Sequence, residues 1–271
     1  EVNAPASRTF EHCREWVKAP DCEVTVITCA PNFTKGQVFE GYKNKLFQIE
    51  IVEGIRVVRI WSFIASNEGT VKRILDYLSF MVMAIIASCF IRKVDVIVAT
   101  SPQFFTACAG YIVSTFKRSP WVFELRDIWP ESIKAVGAMN ESFSIRLLER
   151  LELFLYRKAN RIVSVTNAFK CSLGERGIDT QKIDVVTNGV DTSLFSPSPK
   201  DQELLGKLGL QGKFIAGYIG THGLAHGLDT ILDAAHAEQV SRPDSNLHFL
   251  MLGDGAEKAR LKSRAFELNL S

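Results

Sequence analysis

The 271-residue sequence lacks the short motifs that mark several common chemistries. It contains no C-x-x-C pair and no spacing of His, Cys, Asp and Glu that is typical of a metal site. Neither the G-x-G-x-x-G fingerprint of dinucleotide-binding folds nor the G-x-x-x-x-G-K-S/T of P-loop proteins is present. Ser101 has no G-x-S-x-G context, which argues against a hydrolase nucleophile. We therefore expect neither a bound metal nor a cofactor.

The sequence also lacks a charge imbalance. Lys and Arg together number 32, Asp and Glu number 30, and the net charge of +2 argues against broad nucleic-acid binding. The six cysteines lie far apart, at positions 13, 22, 29, 89, 108 and 171, which favours reduced thiols in a cytoplasmic protein over a disulfide framework. A hydrophobic content of 46% is typical of a globular protein with an ample core.

Helix and strand patterns alternate along the first two thirds of the chain, which predicts βαβ crossovers and a mostly parallel sheet. A hairpin is expected around Glu53-Gly54, and residues 31–45 read as a loop. The predicted helices are 5–18, 70–92, 103–117, 142–158 and 167–176. The predicted strands are 23–29, 48–52, 55–61, 95–100, 120–125, 161–165 and 183–187.

A second α/β pattern follows, with predicted helices at 200–208, 227–238 and 255–268 and predicted strands at 214–219 and 247–252. Between the two patterns an apolar strand stops at Asn188-Gly189, where a turn is expected, and a polar link marked by Pro197 follows. We predict domains over 1–189 and 190–271, with Asn188, Gly189 and Asp191 at a hinge that floors a cleft.

Both units are expected to be incomplete. The first opens on a helix, whereas a doubly wound sheet normally opens on a strand. The second has two predicted strands, too few to close a core with both sheet faces covered. The sequence is therefore interpreted as a fragment that lacks a first strand and much of its second domain.

Residues 74–91 are nearly all apolar, and Asp76 is their one charged residue. Three interpretations stay open for this segment: a transmembrane helix, a helix buried in the α/β domain, and a helix that lies against a membrane surface. Asp76 argues against the first because a charge inside lipid is costly. The basic residues at both ends favour the third, in which 70–92 makes a peripheral membrane contact. These residues are Lys72, Arg73, Arg92 and Lys93.

Ligands of open parallel sheets bind beyond the carboxyl ends of the strands. In the first unit, Arg126-Asp127 follows a predicted strand and precedes Trp129-Pro130-Glu131. Asp127 is a candidate base or hydroxyl-binding group, and an internal ion pair of Arg126 that orders the loop is the alternative. In the second unit, Gly220–Gly227 resembles a phosphate-binding turn before a helix, with His226 as a donor. A plain glycine-rich turn explains the same residues, and a helix cap explains Gly253-Asp254-Gly255.

Taken together, these residues resemble a glycosyltransferase of family 4, whose GT-B architecture has two facing Rossmann-like domains. The junction is similar to the N-G-V-D-x-x-x-F-x-P signature, here Asn188 to Asp191 with Phe195 and Pro197. Segments 217–229 and 252–255 resemble the donor-phosphate loop and the next strand end. Segments 1–8 and 124–131 resemble the N-acetyl-L-fucosamine transferase-like subgroup of bacterial O-antigen and capsule synthesis.

The resemblance implies a retaining transfer of a sugar from a nucleotide donor, most often UDP-linked, to a lipid-linked saccharide or glycan at the cytoplasmic membrane face. It implies catalytic roles for Asp127 and Arg126 and acceptor-side roles for Asn3, Arg8 and Ser101. The implied donor-binding residues are Gly220, Thr221, His222, His226, Gly227, Gly253 and Asp254. No metal is required in this fold, and no nucleic-acid partner is expected.

Two departures from the family stand out. Family members usually carry Arg and Lys near the positions of Thr221 and His226, and often a histidine where Arg126-Asp127 stands here. The acidic E-x7-E motif of the family would lie beyond Ser271, so we expect no turnover from the 271 residues alone. A GT-B-fold nucleotide-sugar epimerase and a non-catalytic scaffold that binds a membrane or partner remain as alternatives.

Overall fold

The computed structural model describes residues 4–32, 36–64, 70–92, 94–128 and 143–270, and their contacts divide the chain into two compact units, Glu1–Gly189 and Val190–Ser271. The helices of unit 1 are α1 (Ala4–Trp16), α2 (Thr70–Cys89), α3 (Phe104–Lys117), α4 (Phe143–Lys158) and α5 (Asn167–Glu175). Its strands are β1 (Thr25–Cys29), β2 (Phe47–Val52), β3 (Ile55–Ile60), β4 (Ile97–Thr100), β5 (Trp121–Leu125), β6 (Arg161–Ser164) and β7 (Ile183–Val185).

The strands of unit 1 form two sheets where the sequence predicted one. Three strands pair in the order β1-β3-β2, and four pair in the order β4-β5-β6-β7. All pairs of the four-stranded sheet are parallel, as is β1 with β3, whereas β2 runs antiparallel to β3. Within the described chain, no strand pairs with the outer edge of β1 or of β4, so each sheet ends there.

The predicted hairpin between β2 and β3 is confirmed. Its two turn residues, Glu53 and Gly54, have φ angles of +49° and +82°. Positive φ at both central residues matches the right-handed twist of the strands, and glycine adopts it without a steric penalty. This turn fixes the register in which Val58 lies opposite Ile49.

The four-stranded sheet is the centre of the larger core. Trp121 and Phe123 of β5 pack with Tyr156 of α4 and Ile162 of β6, and each of these side chains is buried. The second cluster joins β3 to α2 and α3 through Val58, Ile60, Ala84, Ala87 and Ala109. One side of α2 therefore packs on the three-stranded sheet. Among the described residues, no helix has the length and apolar character needed to cross a membrane.

Unit 2 contains α6 (Gln202–Lys207), β8 (Phe214–Ile219), α7 (Asp229–Ser241), β9 (Leu247–Leu252) and α8 (Lys258–Glu267). Strands β8 and β9 pair in parallel over their whole lengths. Leu228, Leu232 and Leu261 form the buried centre that joins α7 to α8. In both units, parallel strands alternate with helices. The chain therefore has the mixed α/β class that the sequence predicted.

Candidate functional site

The carboxyl ends of β4, β5, β6 and β7 lie at one edge of the four-stranded sheet because all four strands are parallel. Ser101 follows β4, Arg126 and Asp127 follow β5, and Asn188 follows β7 by three residues. The structure thus gathers predicted candidates of unit 1 at the edge where open parallel sheets bind ligands. Asn3 and the predicted Trp129-Pro130-Glu131 segment lie outside the described residues.

Arg8 extends from α1 into this edge and is buried. Its Nε donates to Glu124 Oε1 over 2.8 Å, and its Nη2 donates to the Val186 carbonyl over 2.9 Å. Its Nη1 donates to the Thr187 carbonyl at 3.1 Å and to Asn188 Oδ1 at 2.9 Å. A guanidinium is a planar fork of donors, and here that fork connects α1 to β5 and to the segment after β7.

The prediction of an Asn-Gly turn after β7 is wrong. No turn is formed at Asn188, and Gly189 is not among the glycines with positive φ. The Asn188 side chain instead accepts a hydrogen bond from Arg8. The turn forms three residues later, where Asp191 accepts hydrogen bonds from Ser193 N and Ser193 Oγ at 3.0 and 2.6 Å through its Oδ1. A long-range bond of the asparagine side chain thus replaces the local turn.

Ser101 fixes the backbone of the Arg126-Asp127 pair. Its buried hydroxyl accepts from Arg126 N at 2.8 Å and from Asp127 N at 3.4 Å, and it donates to the Asp127 carbonyl at 3.5 Å. The Arg126 and Asp127 side chains are half-buried. Burial lowers the pKa of Arg126, and the positive charge of Arg8 lowers it further against the opposing effect of Glu124.

Glu124 is the residue of this edge whose role sequence reasoning missed. It is buried in β5, pairs with Arg8, and lies 3.9 Å from His12 Nδ1 through its Oε1 atom. A carboxylate inside an otherwise apolar strand is a signal that the sequence does carry, because a buried charge needs a partner. Burial and the charge of Arg8 together lower the pKa of His12, although Glu124 acts in the opposite direction.

In unit 2 the loops that follow β8 and β9 lie backbone to backbone. Gly220 N donates to the Leu252 carbonyl at 3.0 Å, and His222 N donates to the Asp254 carbonyl at 2.9 Å. A Cβ atom at Gly253 would overlap the Gly220 carbonyl oxygen, and one at Gly255 would overlap the His222 carbonyl oxygen. Glycine is therefore required at both positions by close approach of the two loops.

The two predicted histidines of this loop differ in environment. His222 is buried, and within the described part of the chain neither of its ring nitrogens has a hydrogen-bond partner. His226 is exposed, and its Nδ1 lies 3.3 Å from the Gly223 carbonyl oxygen. Thr221 is also exposed, and its carbonyl accepts from the Tyr218 hydroxyl at 2.8 Å.

The helix predicted to begin at 227 begins at Asp229 instead. A short 3-10 turn, Leu224–His226, comes first, and Gly227 follows it with a φ of +57°. The left-handed conformation of Gly227 interrupts the helical hydrogen-bond pattern, so the helix has to start after it. The glycine loop consequently presents a turn and a helix start in place of one continuous helix.

Two basic side chains beside the glycine loops were not predicted. Lys258 Nζ donates to the Gly253 carbonyl at 2.8 Å, and Arg260 makes two bonds to the Asp229 carboxylate at 3.0 and 2.7 Å. Arg260 also donates to Glu257 over 2.6 Å. The hydrogen bonds of Arg260 and Arg264 lower the pKa of Asp229. In the sequence, Lys258 and Arg260 could have been recognised from the run of basic residues that follows Gly253-Asp254-Gly255.

A small pocket opens between the glycine loop and α8. It is lined by Gly223, Leu224, Gly227, Leu228, Asp229, Glu257, Arg260 and Leu261. Its charged lining contains one guanidinium and two carboxylates that are hydrogen-bonded to it, so the formal charge of the lining is net negative. Across the ranges that the structure describes, no three His, Cys, Asp or Glu side chains are arranged to hold a metal ion.

Comparisons with known proteins identify relatives of both units. The chain is 26% identical over 149 residues to WbjE of Pseudomonas aeruginosa, named as a glycosyltransferase, with 54% of this chain and 36% of WbjE covered. It is 24% identical over 265 residues to WcaI of Escherichia coli, named as a colanic acid biosynthesis glycosyl transferase, with 94% of this chain and 64% of WcaI covered. The chain thus spans between about a third and two thirds of these relatives' lengths.

Solved structures confirm the predicted GT-B type of α/β fold. Sucrose-phosphate synthase of Thermosynechococcus elongatus matches with a TM-score of 0.69 and 15% identity, over 97% of this chain and 62% of that one. Anabaena HepE in complex with UDP-glucose matches with a TM-score of 0.58 and 18% identity, over 81% of this chain and 54% of that one.

The sequence profile of Glycosyltransferase Family 4 matches residues 6–194 and so contains the Arg8–Glu124 pair, Ser101, the Arg126-Asp127 pair and the junction at Asn188. This match covers more than half of the chain. On the fold of both units and on this match, the chain belongs to Glycosyltransferase Family 4.

Proposed function

We propose that this chain takes part in the transfer of a sugar from a UDP-linked donor to a glycan or lipid-linked saccharide during synthesis of a cell-surface polysaccharide. The observation that carries the proposal is the family match over residues 6–194. WcaI is named for colanic acid biosynthesis, and HepE was solved with UDP-glucose, which supports a polysaccharide product and a UDP-linked donor.

Unit 2 is the proposed donor side. The loop from Gly220 to Gly227 precedes the thirteen-residue helix α7, and a helix N-terminus favours an anion such as a diphosphate. His226 is exposed and is the proposed side-chain donor to a phosphate oxygen. Gly253 and Asp254 complete this loop pair, and Lys258 adds a cation held against the Gly253 carbonyl. Thr221 and His222 are assigned to the same donor loop.

Unit 1 is the proposed acceptor side. Asp127 is assigned to position the reacting sugar, with Arg126 beside it at the end of β5. Ser101 and Arg8 act as positioning residues, since their polar groups bond to the protein around Asp127 and Asn188. Asn3 stays a proposed acceptor-side residue.

The proposed reaction retains the configuration of the sugar. The bond from the anomeric carbon to the donor diphosphate breaks, a bond from that carbon to an acceptor hydroxyl oxygen forms, and the hydroxyl proton leaves with the diphosphate. Positive charge develops on the sugar ring, and negative charge develops on the leaving diphosphate. Fixed donors aimed at the diphosphate stabilise that charge, and they need no metal.

The chain is proposed to meet its acceptor at the cytoplasmic face of a bacterial membrane, where a lipid-linked saccharide presents its sugar to a peripheral protein.

One observation favours a second candidate function, a non-catalytic scaffold of the same fold. Arg260, a guanidinium in the pocket beside the glycine loop, is neutralised by Asp229 and Glu257, which reduces the positive field available to a diphosphate.

Calorimetric titration of the chain with UDP tests the proposal. We expect binding, and we expect His226→Ala to weaken it, because the variant loses the proposed side-chain donor to a phosphate oxygen. His236→Ala in α7 is the matched control and should bind as the unaltered chain does. Absence of UDP binding by the folded chain contradicts a donor site in unit 2. Equal affinities of the His226→Ala variant and the unaltered chain for UDP remove His226 from the site.

A further inference from the structure

One side of α2 carries a line of exposed apolar side chains. Val71, Leu75, Val82 and Ile86 recur at intervals of four or seven residues, and Phe90 continues the line just after the helix ends. Residues at these intervals share one side of a helix. The exposed fraction is 71% for Val71 and 72% for Phe90, so both ends of the line are open to solvent.

Strand β2 adds a second exposed apolar row. Phe47, Ile49 and Ile51 alternate with half-buried residues and are exposed themselves. Phe47 and Ile49 lie opposite Ile60 and Val58 of β3. Cross-strand partners point to the same side of a sheet, and Ile60 and Val58 are the residues that α2 covers. The row on β2 is therefore on the helix-bearing side of the sheet.

The helix line and the strand row meet at an aromatic contact. The ring centroids of Phe47 and Phe90 lie 6.4 Å apart in an edge-to-face arrangement. We call the joined area the α2–β2 surface, defined by Phe47, Ile49, Ile51, Val82, Ile86 and Phe90. Scattered exposed apolar residues are normal on a protein, but a joined patch of this composition marks an interaction surface.

Exposed basic side chains lie near both ends of α2. Lys72 and Arg73 lie in the first turn of α2, and Arg92 follows Phe90; all three are exposed. Lys117 of α3 donates to the Ile91 carbonyl at 2.7 Å, which holds a further cation beside the Phe90 end. Asp76 is the only carboxylate within α2, and it is half-buried.

We infer that the α2–β2 surface docks on an anionic lipid bilayer, with α2 lying in the plane of the interface. The inner side of α2 packs on the sheet, so its outer side can enter a lipid surface while the helix stays attached to the protein. Apolar side chains flanked by cations fit the acyl boundary and the headgroups of anionic lipids. This inference extends the proposed encounter with the acceptor at a membrane face, and vesicle binding without nucleotide tests it separately from the UDP site.

Vesicle co-sedimentation of the chain tests this inference. We expect binding to phosphatidylcholine vesicles that contain phosphatidylglycerol and much weaker binding to phosphatidylcholine alone. Each basic residue near an anionic surface contributes about fivefold to partitioning, so Lys72→Gln/Arg73→Gln/Arg92→Gln should weaken binding by roughly a hundredfold. Raising the salt from about 0.1 M to about 1 M should weaken the binding of the unaltered chain and change that variant little.

The apolar part is tested by Phe47→Ser/Ile86→Ser/Phe90→Ser, which we expect to abolish binding at both salt concentrations. Phe266→Ser is the matched control, because Phe266 is a highly exposed aromatic residue of unit 2; its binding should be unchanged. Circular dichroism confirms that each variant is folded, and UDP titration reports the proposed donor site separately. Absence of vesicle binding, or equal binding by all variants, overturns the inference. Self-association in sedimentation velocity that the serine variant removes assigns the surface to a second copy and also overturns it.

Discussion

Arg8 and Glu124 are separated by 116 residues of sequence, yet Arg8 Nε lies 2.8 Å from Glu124 Oε1 in the interior of unit 1. The same guanidinium bonds to three acceptors of the segment Val186, Thr187 and Asn188. One side chain of α1 thus holds the end of β5 and the segment that leaves β7. This contact fixes the sheet edge on which the proposed acceptor-side residues lie.

Removal of the Arg8 guanidinium should destabilise unit 1 strongly. Arg8→Ala leaves the Glu124 carboxylate buried without its cation, and breaking a buried pair from one side costs about 3–5 kcal/mol in the free energy of unfolding. Arg8→Lys should be less severe, since an ammonium keeps the charge but not the planar fork of donors. Urea unfolding followed by tryptophan fluorescence measures both, because all four tryptophans lie in unit 1.

Lys18→Ala is the control for this series. Lys18 follows α1 by two residues, is exposed, and pairs with the nearby Glu15, so its loss should change the free energy of unfolding by less than about 0.5 kcal/mol. An Arg8→Ala variant as stable as the Lys18→Ala variant contradicts a structural role for the buried pair.

The Ser101 hydroxyl should stabilise the loop after β5. Ser101→Ala leaves the Arg126 amide without its 2.8 Å acceptor in a buried place, which costs about 1–3 kcal/mol. Hydrogen exchange should show faster exchange of the Arg126 and Asp127 amides, because their protection depends on this bond. Ser263→Ala, which removes an exposed hydroxyl of α8, should alter neither quantity. Unchanged amide protection in Ser101→Ala contradicts the assigned role.

His12 should make stability depend on pH. Burial and the charge of Arg8 lower the pKa of His12 below its usual value of about 6.5, although Glu124 and Glu11 oppose the shift. Just below pH 6.5 the unfolded chain therefore binds more protons at this position than the folded one does. The free energy of unfolding should fall as the pH drops from about 6.5 toward the folded pKa, and recover as the pH rises.

Thermal unfolding of the chain and of His12→Gln across this pH window measures the effect. The His12→Gln variant should show a smaller decrease of Tm on acidification, since glutamine does not titrate. His226→Gln is the control, because His226 is exposed in unit 2 and its loss should leave the pH dependence of unit 1 unchanged. Parallel pH profiles for the unaltered chain and His12→Gln contradict the assignment.

Substitution of Gly253 should disrupt the paired loops of unit 2. The Cβ of Gly253→Ala would overlap the Gly220 carbonyl oxygen, and backbone atoms have less room to yield than a flexible side chain. We expect a loss of about 1–3 kcal/mol, the range found for overpacked sites, and a weaker affinity for UDP. Gly217→Ala is the matched control, since a Cβ at Gly217 would meet no atom within 4 Å. Hydrogen exchange over 214–270 localises the effect, and equal protection in the two variants argues against the close approach.

The alternation of helices and strands could be predicted from the sequence because it depends on local patterns. The Glu53-Gly54 hairpin and the strands β8 and β9 were predicted with bounds within one residue of those observed, since each follows from apolar periodicity and turn residues nearby. The mixed α/β class follows from the order of these elements.

Features that depend on distant residues were missed. The turn at Asn188 was predicted from its glycine neighbour, but its side chain bonds to Arg8, which lies 180 residues earlier. The break between the β1-β3-β2 and β4-β5-β6-β7 sheets is likewise absent from any local pattern, because pairing depends on which strands meet in space. The contact between the two glycine loops, in which Gly220 N bonds to the Leu252 carbonyl and His222 N to the Asp254 carbonyl, also joins residues far apart in the sequence.

The reach of Arg8 from α1 to Asn188 also bears on how unit 1 is connected. Because the guanidinium bonds at both places, α1 and the segment that leaves β7 lie within the reach of one arginine side chain. A substitution that displaces the segment after β7 should therefore also be felt at α1, since groups that share one hydrogen-bonding partner respond together.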